Sequence, residues 1–313
     1  MAYQTITETE NLPYPLPESF PSSRAPNPNT PFRRPSSDPT LGEGAKAPTT
    51  PAWAPTPTLT DRRVLDAPAV VVDDAEGGSG ARVAAGLARL GRPAELITLL
   101  GPDAAARLAG GPVNHPLAVH VGSVSAVGRP SARAVARTVA AYRPGATITY
   151  DLGVRPESMG SPDEIRPKVE GLIAQSDLIK ASERDLDWLY PGEEHRSIVR
   201  RWLSSGPGIA IIAAGRDGAW AVNAVGVVAT APGPTIDDDA ASDAFMTGII
   251  DALWKGGLLG VSARQDLRTL VWGSLKELLD NATAAAAIAS RNHGQPPGRA
   301  ELNAEREIPQ VVA

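Results

Sequence analysis

The chain has 313 residues, of which 42% are hydrophobic, a formal charge of -5 and no cysteine. That is enough apolar material for one large domain or two smaller ones. The acidic balance gives nucleic-acid binding no electrostatic support, and the missing cysteines exclude disulfides, thiolate zinc sites and cysteine nucleophiles.

The first residues, MAYQTITETENLP, have neither a basic start nor an apolar stretch, so they do not read as a secretory signal. No apolar run approaches the roughly 20 residues a membrane helix needs. A soluble, cytoplasmic protein is expected. Residues 1–60 hold 13 of the 30 prolines, with Ser, Thr and Asn between them and no helical or alternating pattern. Such a segment buries too little apolar surface to offset its ordering entropy, and the expectation is a disordered or polyproline-like tail. Its partner, if it has one, is unknown. A single domain is expected over 61–313.

From about residue 61, β-branched runs alternate with Ala/Leu-rich helical stretches. Val70–Val72 reads as a strand, Ala81–Leu90 as a helix ending at Gly91, and Leu96–Leu100 and Ala118–Val121 as strands. A helix over Ser131–Tyr142 leads to a strand at Thr147–Tyr150. A helix over Pro167–Gln175 leads to a strand at Leu178–Lys180. A helix around Ile198–Leu203 precedes a buried strand at Ile209–Ala213. Ala219–Val222 and Val225–Ala229 read as a hairpin, and helices are expected over Ala244–Trp254 and Leu275–Ala289. Strands alternating with helices give a mostly parallel sheet covered on both faces, a three-layer α/β/α sandwich. Ligands of such sheets sit at the carboxyl ends of the strands. The four histidines show no zinc-ligand spacing.

The most informative stretch is Thr235–Leu253, TIDDDAASDAFMTGIIDAL, an acidic turn running into an amphipathic helix. Small residues Ala240, Ala241 and Ser242 just before a helix would leave backbone N–H groups free for an anion, helped by the helix dipole. Asp243 at the junction fits two roles. It can cap the helix, or it can take a proton from a substrate hydroxyl beside that anion hole.

The string Asp237-Asp238-Asp239-Ala240-Ala241-Ser242-Asp243-Ala244-Phe245 resembles the second signature of the PfkB (ribokinase-like) carbohydrate kinases, D-T-x-G-A-G-D-A-F. Ala240 and Ser242 replace its two glycines, which restricts close approach of backbone to phosphate. Gly77-Gly78-Ser79-Gly80-Ala81-Arg82-Val83-Ala84, continuing to Gly91, is similar to the first signature, GGxxxN-x-A followed by LARLG. Arg82 takes the place of the sugar-contacting asparagine. Asp151-Leu152-Gly153-Val154-Arg155-Pro156 resembles D-x-N-x-R-P. Lys180-Ala181-Ser182-Glu183-Arg184-Asp185 resembles K-x-N-x-x-E, although Ser182 and Asp185 also have the spacing of a capping box. Ala214–Gly218 is similar to the nucleotide-side turn T-x-G-x-x-G, and Ala285–Pro297 to the family's ending. The runs DLGVRP, DWLYPGE and RWL are nearest an actinobacterial fructokinase-like branch.

The resemblance implies a ribokinase-like fold and transfer of the γ-phosphoryl group of ATP to a sugar hydroxyl, fructokinase-like. Asp243 would be the general base, and Ala240, Ala241 and Ser242 the anion hole. Gly77, Gly78, Arg82 and Asp237 would lie on the sugar side. Lys180, Ser182, Asp185, Gly215, Gly218 and Asn292 would lie on the nucleotide side, with Mg²⁺ reached by Asp185 through water and a monovalent cation such as K⁺ nearby. Short spacings between Val72 and Gly77, and between Asp103 and Ala118, imply that the family's lid is reduced or absent. A monomer or weak homodimer follows. The altered glycines, Arg82 and the reduced lid imply lowered activity, or a catalytically degenerate paralogue acting as a binding or regulatory module.

Overall fold

Runs such as Ala69-Val70-Val71-Val72 and Ile209-Ala210-Ile211-Ile212 are apolar at every position, which only a strand buried on both faces tolerates. The computed structural model describes residues 67–73, 78–98, 115–128, 131–231 and 238–307. The Pro-rich 1–60 segment, Gly77 and Asp237 lie outside these residues, as does most of the chain where a lid would be inserted. The strands are β1 (Ala69–Asp73), β2 (Ala94–Thr98), β3 (Ala118–Gly122), β4 (Thr147–Asp151), β5 (Leu178–Ser182), β6 (Ile209–Ala213), β7 (Ala219–Asn223) and β8 (Val228–Ala231). They form one sheet in the order β2-β1-β3-β4-β5-β6-β7-β8. Pairings through β6 are parallel, and β6-β7-β8 is an antiparallel edge. Among the described residues every strand belongs to this sheet.

The helices are α1 (Ser79–Arg89), α2 (Ser123–Val127), α3 (Ala132–Tyr142), α4 (Pro156–Met159), α5 (Pro162–Ile173), α6 (Glu183–Leu189), α7 (His195–Ser205), α8 (Asp239–Lys255), α9 (Arg264–Arg268), α10 (Trp272–Arg291) and α11 (Arg299–Glu307). The period of two along each strand divides the core into two layers. Val70, Val72, Ile148 and Ile212 pack with Val135 of α3, Ile165 of α5 and Trp202 of α7. Val71, Ile209 and Ile211 pack on the other face with Val83 of α1, Phe245 of α8 and Leu275 of α10. The expected three-layer sandwich is therefore the fold. Among the described residues no helix is long and apolar enough to cross a membrane.

Three of the boundaries that differ from expectation do so because a side chain captures backbone N–H groups. Helix α5 starts at Pro162, not Pro167, because Ser161 and Glu164 form a capping box with proline in the first turn. Strand β8 starts at Val228, not Val225. The Asn223 side chain accepts from the N–H groups of Val225 (3.2 Å) and Val227 (2.9 Å) and folds 224–227 into the turn. Helix α8 starts five residues before Ala244, for a reason that bears on the site.

Two contacts set the helices over the site. Gly86 of α1 packs on α8, where an added Cβ would come within 2.6 Å of Thr247 Oγ1. Gly248 of α8 packs on α10, where an added Cβ would lie 2.7 Å from the Ala282 Cα and 2.8 Å from the Asn281 carbonyl oxygen. Backbone cannot yield as a flexible side chain does. Gly248→Ala is expected to cost about 2 kcal/mol through overpacking, against under 1 kcal/mol gained in helix propensity. The net loss of about 1–2 kcal/mol reads in a thermal melt as a fall of roughly 2–8 °C; an unchanged or raised Tm contradicts the tight crossing. Asp251, fully buried on α8, ties in α11 through Arg299 (2.5 Å), with Arg92 at 2.8 Å and Lys255 at 3.2 Å. Burial acts to raise its pKa, but Arg299, Lys255 and Arg92 outweigh it and hold the carboxyl at about 2.

Candidate active site at the carboxyl edge of the sheet

The carboxyl ends of β4, β5 and β6 open onto a cleft of about 380 Å³, bounded on the helical side by the starts of α1 and α8. Asp151, Lys180, Gly215, Ser242 and Asp243 line it together. Residues far apart in sequence thus converge where a parallel sheet places its ligands.

Helix α8 is capped by Asp238, whose side chain accepts the Ala241 N–H at 2.7 Å. The helix therefore begins at Asp239, and Ala240, Ala241 and Ser242 occupy its first turn rather than the loop before it. Asp243 is not the cap. It lies one turn in, 4% exposed. The Ala241 N–H is spent on Asp238, and the Ser242 N–H on the Asp238 carbonyl at 3.0 Å. The donors left for an anion are those nearest the helix start. Gly294, at φ +85°, would bring an added Cβ within 3.0 Å of the Ala240 Cβ, so the turn that follows α10 closes over this one.

Both oxygens of Asp243 are engaged. Oδ1 accepts from the Ser79 hydroxyl, and Oδ2 from Arg82 Nε at 2.5 Å. Helix geometry dictates the pairing. Gly86 meets Thr247, and one turn back on each helix Arg82 meets Asp243. Burial pushes the Asp243 carboxyl up to about 6, while Ser79 and Arg82 hold it from rising further.

Asp151 and Lys180 are register partners on adjacent strands. Lys180 Nζ lies 2.7 Å from Asp151 Oδ2 and also donates to Ser242 Oγ, joining the sheet to the first turn of α8. Both side chains are buried. Asp151 Oδ1 is buried with no hydrogen-bond partner among the described residues. Arg155, at the start of α4, pairs with Asp239.

Ser182 and Asp185 form a capping box at α6, as their spacing allows. The Asp185 N–H donates to Ser182 Oγ at 3.1 Å, and the Ser182 N–H to Asp185 Oδ2 at 2.7 Å. Asp185 Oδ1 accepts the Val154 N–H at 2.9 Å, so each oxygen of this cleft-wall carboxylate holds a backbone donor. Burial raises its pKa, opposed by those backbone donors and Lys180. Among the described residues no three His, Asp or Glu side chains converge to cage a metal. Gly215 and Gly218 bracket a single 3₁₀ turn after β6 with φ of +55° and +81°. Of the two, Gly215 lines the cleft. Gly78 is the residue before α1. Asn292 caps the end of α10 and is absent from the cleft wall.

Reading along the chain overlooked Ser79 and Asp238. Asp238 was legible as an Asx cap three residues before Ala241. Ser79 was not, since its partner lies 164 residues away.

A family model described as pfkB family carbohydrate kinase matches residues 113–297. The chain belongs to this family. A fructokinase of Rhizobium leguminosarum bv. trifolii is 25% identical over 144 residues, 45% of this chain and 44% of that protein. The chain thus spans about half the length of the curated relatives it matches. Among solved structures, fructokinase of Xylella fastidiosa with bound ATP superposes with a TM-score of 0.62 at 14% identity, covering 76% of this chain and 97% of that one. A double mutant of the Vibrio cholerae O395 fructokinase, bound to fructose, ADP and potassium ion, gives 0.58 at 18% identity, covering 77% and 98%. At these identities the structural likeness speaks for the fold. The family model, over more than half of the chain, makes it a member of a carbohydrate kinase family.

Proposed function

We propose that the protein is an ATP-dependent carbohydrate kinase, fructokinase-like, of reduced activity. The observation that carries this reading is Asp243, buried in the second turn of α8, facing the cleft, with a carboxyl tuned to about 6. At neutral pH it is ionised, and its proton affinity is higher than that of an ordinary carboxylate, as a general base requires. The acceptor hydroxyl gives its proton to Asp243 as its oxygen bonds to the γ-phosphorus. The bond from that phosphorus to the bridging oxygen breaks, and ADP leaves. The first N–H groups of α8, with Lys180 Nζ behind Ser242, face the developing charge on the transferred group.

Gly77, Gly78, Arg82 and Asp237 are assigned to the sugar side, and Lys180, Ser182, Asp185, Gly215, Gly218 and Asn292 to the nucleotide side. Mg²⁺ would enter with the nucleotide phosphates and reach Asp185 through water, since the described residues do not cage it directly. K⁺ is a further candidate. A cytoplasmic monomer or weak homodimer, with residues 1–60 as a tail on a 61–313 domain, completes the reading.

Fructose-dependent ADP release from Mg²⁺–ATP tests it, with calorimetry of nucleotide binding on the same sample. The rate should fall about tenfold per pH unit below about 6, where Asp243 takes up a proton. A rate flat from pH 5 to 8 removes Asp243 as the base.

A second reading is favoured by one observation: both Asp243 oxygens already hold donors, and Ala241 has lost its N–H to Asp238. On that reading the chain is a catalytically degenerate binding or regulatory module. It predicts nucleotide binding without ADP release.

A further inference from the structure

Arg82 pairs with the carboxylate that an acceptor hydroxyl must reach. The Gly86–Thr247 contact fixes α1 against α8 and leaves little freedom one turn back. There Arg82 Nε lies 2.5 Å from Asp243 Oδ2, and the Arg82 side chain stays about a third exposed. A hydroxyl that gives its proton to Asp243 must approach within about 3 Å of that carboxylate. Any acceptor so placed is therefore within reach of the guanidinium. Arginine donates and never accepts, and its planar fork matches an oxyanion far better than a set of sugar hydroxyls.

The ion pair also holds down the proton affinity of the base. A neutral sugar leaves that pair intact. An oxyanion on the acceptor competes for the guanidinium, weakens its hold on Asp243 and raises the carboxyl's pKa, making a stronger base. Lys180 and Arg155 of the cleft wall pair with other carboxylates, Asp151 and Asp239. Arg82 differs from them in being paired to the base itself.

Resting on the kinase reading above, we propose that Arg82 is a specificity-determining residue that selects an acceptor carbohydrate carrying an oxyanion, a phosphate or a carboxylate, and that this anion releases Asp243 for proton transfer. The chemistry of the step is unchanged: the acceptor hydroxyl forms the new P–O bond, its proton goes to Asp243, and ADP departs.

The experiment compares fructose, fructose 6-phosphate and gluconate on the full chain. Calorimetry with a non-hydrolysable ATP analogue reads binding, and ADP release with Mg²⁺–ATP reads turnover. At least one anionic acceptor is expected to bind about tenfold or more tighter than fructose, as a charge-assisted pair provides. The phosphate and carboxylate arms say which oxyanion is taken. Arg82→Asn should weaken that binding about 10- to 100-fold and abolish the preference for the anion over fructose. Arg82→Lys keeps the charge but not the fork, and should fall between; it serves alone if the Asn variant does not fold. Fructose binding as tightly as both anions, no binding of any of the three, or anion binding indifferent to both substitutions overturns the proposal. Selective anion binding without ADP release leaves the selectivity standing and sinks the kinase reading instead.

Discussion

Asp243→Asn is expected to lower turnover by at least about 10²-fold while leaving ATP affinity nearly unchanged. The amide preserves the side chain's shape but removes the proton acceptor and the charge, and leaves one of the two donors, Ser79 or Arg82, facing an NH2 group. Stability supplies an independent readout, because the burial that raises this carboxyl to about 6 is a cost carried by the folded state. The sign follows from the direction of the shift. Folded Asp243 binds its proton more tightly than the unfolded chain does, so its contribution is most favourable below about pH 4 and is lost as pH rises to about 6. A shift of this size corresponds to roughly 3 kcal/mol at neutral pH. The Asn variant should therefore be more stable than the parent at pH 7, by about 1–3 kcal/mol in denaturant titration, and equal or less stable near pH 4. A residue that merely capped the helix would give the opposite result, a loss of about 1 kcal/mol with activity kept. An inactive but stabilised variant identifies a site where function is maintained against stability. An unchanged rate removes Asp243 from the mechanism.

The sheet was legible because its signal is local. Ile209–Ala213 and Thr147–Tyr150 are short apolar or β-branched runs between helical stretches, and each became a strand within a residue or two. Boundaries failed where a side chain captured backbone N–H groups, at Ser161, Asn223 and Asp238. Those captures depend on geometry that hydrophobic period does not encode. The site was half legible. Asp243 could be singled out from its own segment, but not its surroundings. Arg82 reads in sequence as a lost sugar contact, and in the structure it pairs with Asp243. That pairing arises from a helix crossing set by Gly86 and Thr247, 161 residues apart in each other's chain position, and no local pattern announces it. Ser182 and Asp185 show the converse. Their capping-box spacing was visible at once and is what they form, so any part they take in holding a nucleotide is added to a structural task.

Lys180→Met is expected to cost about 3–5 kcal/mol of stability, the usual consequence of removing one partner of a buried ion pair. Asp151 would be left with neither oxygen matched, since Oδ1 already lacks a partner among the described residues. The second substitution carries the argument. Combining Lys180→Met with Asp151→Leu removes both charges, and a buried pair replaced by apolar side chains is often neutral or stabilising. The double variant should recover most of the lost stability in denaturant titration. It should not recover phosphoryl transfer. Lys180 Nζ also donates to Ser242 Oγ, in the turn where Ala240 and Ser242 replace the signature glycines. On the kinase reading, an ammonium there would place positive charge beneath the transferred group, at the position where the backbone has become more restricted. Removing one such donor costs about 10²- to 10³-fold in rate. A double variant that is both stable and active would make the pair an ordinary core feature. A double variant that is stable and inactive would mean the pair is held at the carboxyl edge for the site above it, and that the loss of the glycines has been met from the sheet.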